Sequence, residues 1–201
     1  YVPGGMYGYA DALRRLLDEL GIEVHLGCRV KQLSRDGKKI TGVVTEDGTV
    51  YSADCTVSNM EVVPTYERLL DTPPRQLKKL RKRFPPAASG LVMHLGVNRE
   101  YEQLGHHNFF FSKDPERFLN QIHREHVLPE DPTIYLVYPT RSDPDRAPKG
   151  QSIVKILPHL PPIQDEPLSR ESYLALRERV LDKLERMGLE GLREHTVFEH
   201  L

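Results

Sequence analysis

The sequence predicts an α+β fold, in which a three-stranded antiparallel meander is followed by a second sheet flanked by helices. Two Asp-Gly dipeptides divide the segment from Val30 to Asn59 into apolar-rich stretches. Such dipeptides tolerate positive φ angles and favour tight hairpin turns. After residue 87, four further apolar stretches read as strands, and a long amphipathic stretch near the end has helical periodicity.

Composition limits the classes of protein to consider. The chain has 201 residues, of which 38% are hydrophobic and 28% charged, so it can bury a core as one domain or two small ones. Its 28 basic and 29 acidic residues give a net charge of -1. Because this charge creates no overall positive field, we expect no nucleic-acid partner.

Apolar runs and cysteines indicate the cellular location of the protein. The longest apolar runs fall far short of the roughly 20 residues that cross a bilayer. Cys28 and Cys55 do not form a C-x-x-C pair, which fits reduced thiols in a cytoplasmic protein, although a single bridge between them stays open. We therefore expect a cytoplasmic location.

The first section, residues 1–59, begins with a glycine turn and an apolar helix pattern. Leu13, Leu16 and Leu20 recur at helical spacing, and Gly21 is a natural C-terminal cap. This pattern predicts a surface helix with one buried stripe.

Two short strands are predicted on either side of the hairpins. Ile22, Val24 and Leu26 alternate along "IEVHLG" and would share one face of a strand. The segment "ADCTVSN" is predicted to continue the last strand of the meander as far as Ser58 and Asn59.

The second section, residues 60–85, is helical and polar. Its two helix patterns, "EVVPTYERLLD" and "PPRQLKKLRKRFPP", place proline where a first helical turn tolerates it. Five basic residues lie between Lys78 and Arg83. They form either a solvated helix face or a surface that contacts anionic lipid headgroups.

The third section contains four strand patterns, "SGLVMHLGVN", "HNFFFS", "TIYLVYPTR" and "SIVKILPHL", with the helix pattern "DPERFLNQIHRE" between the second and third. Their nearly continuous apolar content predicts a sheet covered on both faces, by helices on one side and by something apolar on the other. A final helix should begin at an N-cap, Ser169, and stop at Gly188, and "EHTVFEHL" begins one more strand.

No transferable catalytic motif appears in the sequence, which lacks G-x-S-x-G, G-x-x-x-x-G-K-[ST] and H-E-x-x-H. The candidate metal ligands are His106, His107, His123 and His126. A zinc site needs three or four convergent ligands. These histidines are therefore either ordinary exposed or hydrogen-bonded imidazoles or the centre of a metal-dependent enzyme, and we expect no metal.

Aromatic residues mark two of the predicted strands. Phe109 to Phe111 belong to the core, or one face of their strand lines a pocket for a large apolar ligand. Tyr135 and Tyr138 are three positions apart and should face opposite sides of their strand. We take Phe109, Phe111 and Tyr135 as the candidate substrate contacts.

The segments "PGGMYGYADALRRLLDELGIEVHLGCRVKQL" and "ITGVVTEDGTVYSADCTVSN" resemble the middle of the phytoene dehydrogenase, or carotenoid desaturase, family of the flavin-dependent amine oxidoreductase superfamily. The downstream segments "LGVNREYEQLGHHNFFFS" and "EDPTIYLVYPTRSDPDRAPKG" are similar to that family's substrate domain. The resemblance implies part of an FAD-binding domain in residues 1–59 and a mixed-sheet substrate domain in residues 60–201, each truncated relative to the family.

The resemblance implies FAD-dependent desaturation or oxidation of a long apolar polyene such as phytoene. The sequence lacks the G-x-G-x-x-G motif that cradles the FAD pyrophosphate, so we expect a central fragment that is inactive and binds no FAD in isolation. A cofactor-free lipid- or partner-binding module is the alternative. A second alternative is another enzyme of the superfamily, such as a retinol saturase or a protoporphyrinogen oxidase type.

The resemblance also implies positions for the cofactor. Val30 would pack near the adenine, and Ser58 and Asn59 would lie beside the flavin-side phosphate or the ribityl chain. The turn at Gly4, Gly5 and Met6 would approach the isoalloxazine or the substrate path. No catalytic side chain is expected, because the flavin carries the chemistry. Since a polyene comes from lipid, the protein would contact the inner face of the membrane peripherally, through Lys78 to Arg83.

Overall fold

The computed structural model describes residue 2 and residues 5–163 and 168–201. The chain divides into two compact units, Tyr1–Pro85 and Pro86–Leu201. The helical section 60–85 therefore belongs to the same compact unit as the meander. The boundary at residue 59 marks instead the expected border between the FAD-binding and substrate domains. Both units contain helices and antiparallel strands, which confirms the α+β class.

The first unit contains the predicted meander. Its strands are β1 (Val30–Asp36), β2 (Lys39–Thr45) and β3 (Val50–Ser52), hydrogen-bonded in that order and antiparallel. Gly37 and Gly48 turn the chain with φ angles of 57° and 88°. These turns fall at the two Asp-Gly dipeptides, as predicted.

The prediction that two further segments of the first unit form strands is wrong. In the described part of the chain, residues 22–26 and 53–59 form no strand. Leu26 is 82% exposed, and pairing along the third strand ends with one bond from the Ala53 amide to the Thr41 carbonyl oxygen, 2.9 Å long. Apolar alternation produces a strand only where a neighbouring strand pairs with its backbone, and these segments lack that neighbour.

The first helix, α1 (Tyr7–Glu19), ends as the sequence predicts. Gly21 has a φ angle of 66°, and the Ile22 amide donates to the Leu17 carbonyl oxygen at 2.9 Å, which is a Schellman cap. The predicted buried stripe is wrong, because none of the helix residues, all of them described, is buried. Leu13, Leu16 and Leu20 are 43%, 47% and 64% exposed.

The second section forms two helices, α2 (Val62–Leu69) and α3 (Pro74–Arg83), as predicted. Thr65 of the first and Leu77 of the second are buried. A salt bridge of 2.5 Å between Arg81 Nη2 and Glu67 Oε1 joins the two helices.

The second unit is built on one large sheet. All strand pairings among its described residues are antiparallel, whereas the resemblance implies a mixed, mainly antiparallel sheet. The main order is β6-β7-β8-β5-β9, with β4 paired to β8. The strands are β4 (Ser89–Gly90), β5 (Met93–Val97), β6 (His107–Phe110), β7 (Ile134–Val137), β8 (Ser152–Leu160) and β9 (Thr196–His200).

Two helices accompany this sheet. Between β6 and β7, α4 (Pro115–Asn120) continues into a π-helical turn, Gln121–Glu125. The long α5 (Arg170–Arg186) begins where Ser169 Oγ accepts a hydrogen bond from the Ser172 amide, 3.2 Å away. It ends before Gly188, whose φ angle is 110°. Both ends of α5 match the prediction.

The core lies on one face of the sheet, under α5. Leu176, Val180 and Leu184 of the helix pack in one buried cluster with Met93 and Ile156 of the sheet. Every second residue of β8 is buried, and the residues between are half-buried. This alternation is the pattern of a sheet with one covered face.

The expectation that both faces are covered is therefore wrong for the described residues. Apolar side chains such as Ile153, Leu157 and Phe198 occupy the other face, which we call the outer face, and keep partial or full exposure. Because both faces of the strands are apolar, the sequence cannot distinguish a covered face from one open to a ligand.

An ion pair secures the edge strand β9 to α5. Arg177 donates from Nε and Nη2 to the two carboxylate oxygens of Glu199, each at 2.5 Å. These hydrogen bonds hold the pKa of the Glu199 carboxyl below its usual value. A bidentate pair of this kind fixes orientation as well as distance.

Replacement of Gly42 by alanine should destabilise the meander by about 3 kcal/mol or more, because overpacking against backbone cannot relax. The new Cβ would lie 2.0 Å from the Tyr51 carbonyl oxygen, and the φ angle of 152° disfavours a side chain. Urea unfolding of the chain measures the effect. Gly37→Ala is the matched control, since its Cβ meets no atom within 4 Å and it should cost only about 1 kcal/mol. Equal losses in the two variants would refute the steric explanation.

Candidate substrate-binding face

Aromatic side chains line the outer face at the β6 edge of the sheet. Phe109 pairs with Tyr135 across β6 and β7, and their ring centroids are 4.9 Å apart. The Phe111 ring lies 5.9 Å from that of Phe109, and the His107 ring lies 5.9 Å from that of Tyr135. We call these four residues the aromatic strip. Neighbouring rings are stacked at angles of 15° to 24°, so the strip is one contiguous row of aromatic side chains.

The strip forms because side chains alternate along a strand. Phe109 and Phe111 are 55% and 64% exposed, whereas Phe110 between them is 8% exposed and belongs to the core. Tyr135 is half-buried on the outer face and Tyr138 is buried on the other side, which confirms their predicted opposition. The structure thus brings together the three candidate substrate contacts, and their role in binding stays a prediction.

The strip changes from apolar to polar along its length. At one end lie the two phenylalanine rings. At the other end, the Tyr135 hydroxyl is 2.7 Å from His107 Nδ1, and the neighbouring His106 Nδ1 is 2.8 Å from Ser142 Oγ. A ligand along this surface would therefore meet apolar rings first and hydrogen-bonding groups at one end.

A buried lysine on α5 supports the strip from beneath. Lys183 Nζ donates to the Phe111 carbonyl oxygen at 2.8 Å, to the Pro132 carbonyl oxygen at 2.9 Å and to Asp131 Oδ1 at 2.6 Å. We call this arrangement the lysine anchor. It joins the end of β6 to the start of β7, the two strands that carry the strip.

Asp131 completes the anchor. Its Oδ2 accepts from the Lys113 amide at 2.7 Å and from the Ser112 hydroxyl at 3.2 Å. Burial alone would raise the pKa of the Asp131 carboxyl, but the hydrogen bonds from Lys183 and Lys113 outweigh it and lower the pKa below its usual value. The carboxylate is therefore ionised wherever the fold is intact near neutral pH.

Sequence reasoning missed the lysine anchor, although a signal was present. Lys183 lies on the same helix stripe as Leu176, Val180 and Leu184, all of which are buried. A lysine in an apolar stripe needs buried oxygen partners, but the sequence does not say which oxygens supply them.

The histidines do not assemble into a metal site. Among the described residues, no group of three or more His, Cys, Asp or Glu side chains could hold a metal ion. His106 and His107 lie with ring centroids 4.5 Å apart before and in β6, whereas His123 belongs to the π-helical turn and His126 follows it.

The residues proposed for the cofactor lie in the first unit. Gly4 falls outside the described residues. Gly5 has a φ angle of 89°, and Met6 is exposed. Ser58 Oγ accepts from the Met60 amide at 3.3 Å and is 3.1 Å from Thr65 Oγ1, so it stabilises a local turn. Asn59 is exposed.

Val30 lies apart from the Ser58 turn in the sheet topology. Val30 is the first residue of β1. β3 lies on the far side of β2 and runs parallel to β1, so it ends at the opposite end of the meander from Val30. The meander therefore does not by itself gather Val30 and the segment 58–59.

The resemblance can be tested by comparison with known proteins. A family profile described as flavin containing amine oxidoreductase matches residues 1–196. The chain belongs to the flavin-containing amine oxidoreductase family. Membership implies FAD in the whole protein. Gly5 fits a close approach of that cofactor, because glycine has no Cβ and its φ of 89° is a conformation that other residues rarely adopt. Met6 and Asn59 are exposed and therefore accessible to it.

Curated members of the family are closely similar to this chain. It is 49% identical over 201 residues to a 4,4'-diaponeurosporene oxygenase of Staphylococcus haemolyticus, covering all of this chain and 40% of the relative. It is 51% identical over 200 residues to a 4,4'-diapolycopene oxygenase of a Methylomonas species, covering 99% of this chain and again 40% of the relative. The chain thus spans about two fifths of the length of these flavin amine oxidoreductase relatives.

Solved structures share the fold of this family member. An oxidoreductase from Methanosarcina mazei matches with a TM-score of 0.60 and 18% identity, over 98% of this chain and 42% of that one. A protein from Pyrococcus furiosus matches with a TM-score of 0.59 and 17% identity, over 95% and 41% of the two chains.

Lys183→Met should destabilise the second unit by about 2 to 4 kcal/mol, since it removes hydrogen bonds from two backbone carbonyls and a carboxylate. The pKa of the Asp131 carboxyl should rise in the variant, because burial then acts without the lysine. Thermal unfolding and carboxylate NMR titration measure these two effects. Arg186→Met, at an exposed position of the same helix, is the control. An unchanged melting temperature in Lys183→Met would contradict the supporting role of the anchor.

Proposed function

We propose that the protein oxidises a long apolar polyene with FAD and that the aromatic strip forms part of the wall along which the polyene lies. The observation that carries this proposal is the strip itself, a row of exposed, nearly parallel rings on a sheet face. Soluble proteins rarely keep such rings in contact with water without a ligand or partner.

The strip suits a conjugated chain for physical reasons. A polyene is rigid, so it packs along a row of aromatic side chains with little loss of conformational freedom. Burial of apolar surface contributes roughly 25 cal/mol per Å². The lysine anchor keeps the two strands in place, so the rings need no reordering when the ligand binds.

Flavin, when bound, supplies a hydride acceptor for such a reaction. The chain's own residues have the simpler tasks of orienting the polyene and excluding water from it. For the cofactor we propose the positions implied by the resemblance, namely Val30, Ser58 and Asn59 together with the turn at Gly4, Gly5 and Met6. This assignment requires no nucleophilic side chain.

The names of the relatives support a narrower substrate class. They are oxygenases named for 4,4'-diaponeurosporene and 4,4'-diapolycopene. We therefore favour oxygenation of a polyene of that class, with molecular oxygen or water as the source of the oxygen atom, over desaturation of phytoene for the whole protein.

Loss of the two phenylalanine rings should impair this activity. We expect the double variant Phe109→Ser, Phe111→Ser to reduce product formation by at least about tenfold, since each ring contributes on the order of 1 kcal/mol of apolar contact. The complete protein is expressed in a bacterium that accumulates 4,4'-diaponeurosporene, and oxygenated products are measured by liquid chromatography and mass spectrometry.

Phe198→Ser is the control for that experiment. Phe198 is an exposed aromatic residue on the same outer face, but it lies on the opposite edge strand, β9. Its loss should leave product formation nearly unchanged. The proposal fails if the complete wild-type protein forms no oxidised polyene, or if both variants lose activity equally.

We further propose that the protein works peripherally at the inner face of the cytoplasmic membrane. Among the described residues, no helix has the length and apolar content to cross a bilayer. Lys78, Lys79, Lys82 and Arg83 are exposed on α3, and the Arg83 guanidinium lies 5.4 Å from the ring centroid of exposed Phe84. Basic side chains beside an exposed aromatic ring suit an anionic lipid surface.

Replacement of the five basic residues between Lys78 and Arg83 by glutamine should weaken binding to anionic vesicles by at least about tenfold, because each basic residue near the surface contributes about 1 kcal/mol. Cosedimentation with phosphatidylglycerol-containing vesicles measures the change. The control replaces five other exposed basic residues of the first unit, Arg14, Arg15, Arg35, Lys38 and Lys39, with glutamine. Equal weakening in the two variants would indicate an effect of total charge and would refute the proposed surface.

A further inference from the structure

We infer that His107 and Tyr135 recognise an oxygen atom at the end of the bound polyene. This inference rests on the proposed function, because it assumes that a polyene lies along the aromatic strip. It adds a specificity-determining pair to that surface. His107 is the contact to the ligand oxygen, and Tyr135 is the residue that positions it.

The geometry of the pair leaves one ring nitrogen for a ligand. The Tyr135 hydroxyl lies 2.7 Å from His107 Nδ1, and the two rings are stacked with an angle of 18°. These contacts hold the imidazole in one orientation. Among the described residues, His107 Nε2 has no hydrogen-bond partner, and the side chain is exposed on the outer face.

The pair lies where an apolar ligand would end. His107 is two residues before Phe109 and four before Phe111 in β6, so the three side chains share one face. A chain packed along the phenylalanine rings and Tyr135 reaches the imidazole next. His106, hydrogen-bonded to Ser142 Oγ at 2.8 Å, adds polarity at the same end.

The chemistry of the pair favours an oxygen-bearing end over a hydrocarbon end. When the tyrosine hydroxyl donates to Nδ1, the neutral imidazole carries its proton on Nε2 and donates to a hydroxyl or carbonyl oxygen. A methyl end would cover the same nitrogen and leave it without a partner. Buried polar groups without partners are costly, so the pair discriminates between the two ends.

A purely structural role for the pair would give a different result. If the hydrogen bond between Tyr135 and His107 only stabilised the edge of the sheet, its loss would change the affinity for all ligands of the strip equally. Recognition of an oxygen affects only ligands that carry one. The deciding measurement is therefore the difference between two ligands that differ only at the end.

The probes are all-trans-retinol and axerophthene, which share one conjugated chain and end in a hydroxyl and a methyl group. Both fluoresce, so anisotropy titration of the 201-residue chain gives both affinities. We expect His107→Phe to weaken retinol binding about fivefold and to leave axerophthene binding within about twofold, as loss of one hydrogen bond requires. Tyr135→Phe should show a smaller loss in the same direction.

Two further variants complete the experiment. His107→Gln keeps an N–H donor and should restore part of the retinol affinity. His200→Phe changes an exposed histidine on β9, at the opposite edge of the sheet, and should alter neither affinity. Circular dichroism verifies that each variant is folded.

The outcomes separate the inference from the proposed function. If wild-type chain binds both probes and His107→Phe changes both equally or neither, the inference is wrong and polyene binding by the strip stands. If wild-type chain binds neither probe, the strip is not a polyene surface, and the inference fails together with that part of the proposed function.

Discussion

Lys183 carries its ammonium group into the interior of the second unit, and the position of the aromatic strip depends on the oxygens that surround it. Two of these oxygens are backbone carbonyls at the end of one strand and before the next, and the third belongs to Asp131. A buried ammonium without such partners is strongly destabilising. The lysine therefore ties the end of β6 to the start of β7, the two strands that bear the strip.

The sheet of the second unit uses its two faces for different purposes. The inner face packs against α5 and forms the core, while the outer face stays open over its aromatic edge. Rigid support beneath an exposed surface is what binding a stiff ligand requires, because the rings then lose little freedom on contact. The strip can also orient a bound ligand, because it has apolar rings at one end and a histidine and a tyrosine at the other.

The first unit has the opposite character. Its meander is well paired, yet within the described residues no residue of α1 is buried and the segment 22–26 forms no strand. The chain spans about two fifths of its curated relatives, and the assignment of this unit to FAD binding stays a prediction. The close approach allowed by Gly5 is the local feature that favours it.

Local chemistry explains what the sequence by itself determined. The Asp-Gly turns, the caps at Gly21, Ser169 and Gly188, and the alternation of Tyr135 and Tyr138 depend on neighbouring residues alone, so they could be predicted. The family could also be identified from the order and spacing of its segments. Tertiary structure alone decided which apolar surfaces are covered. Leu16 looks like a core residue and is exposed, and Lys183 looks like a surface residue and is buried. Burial depends on which distant segment packs against a residue, and no local pattern records that partner.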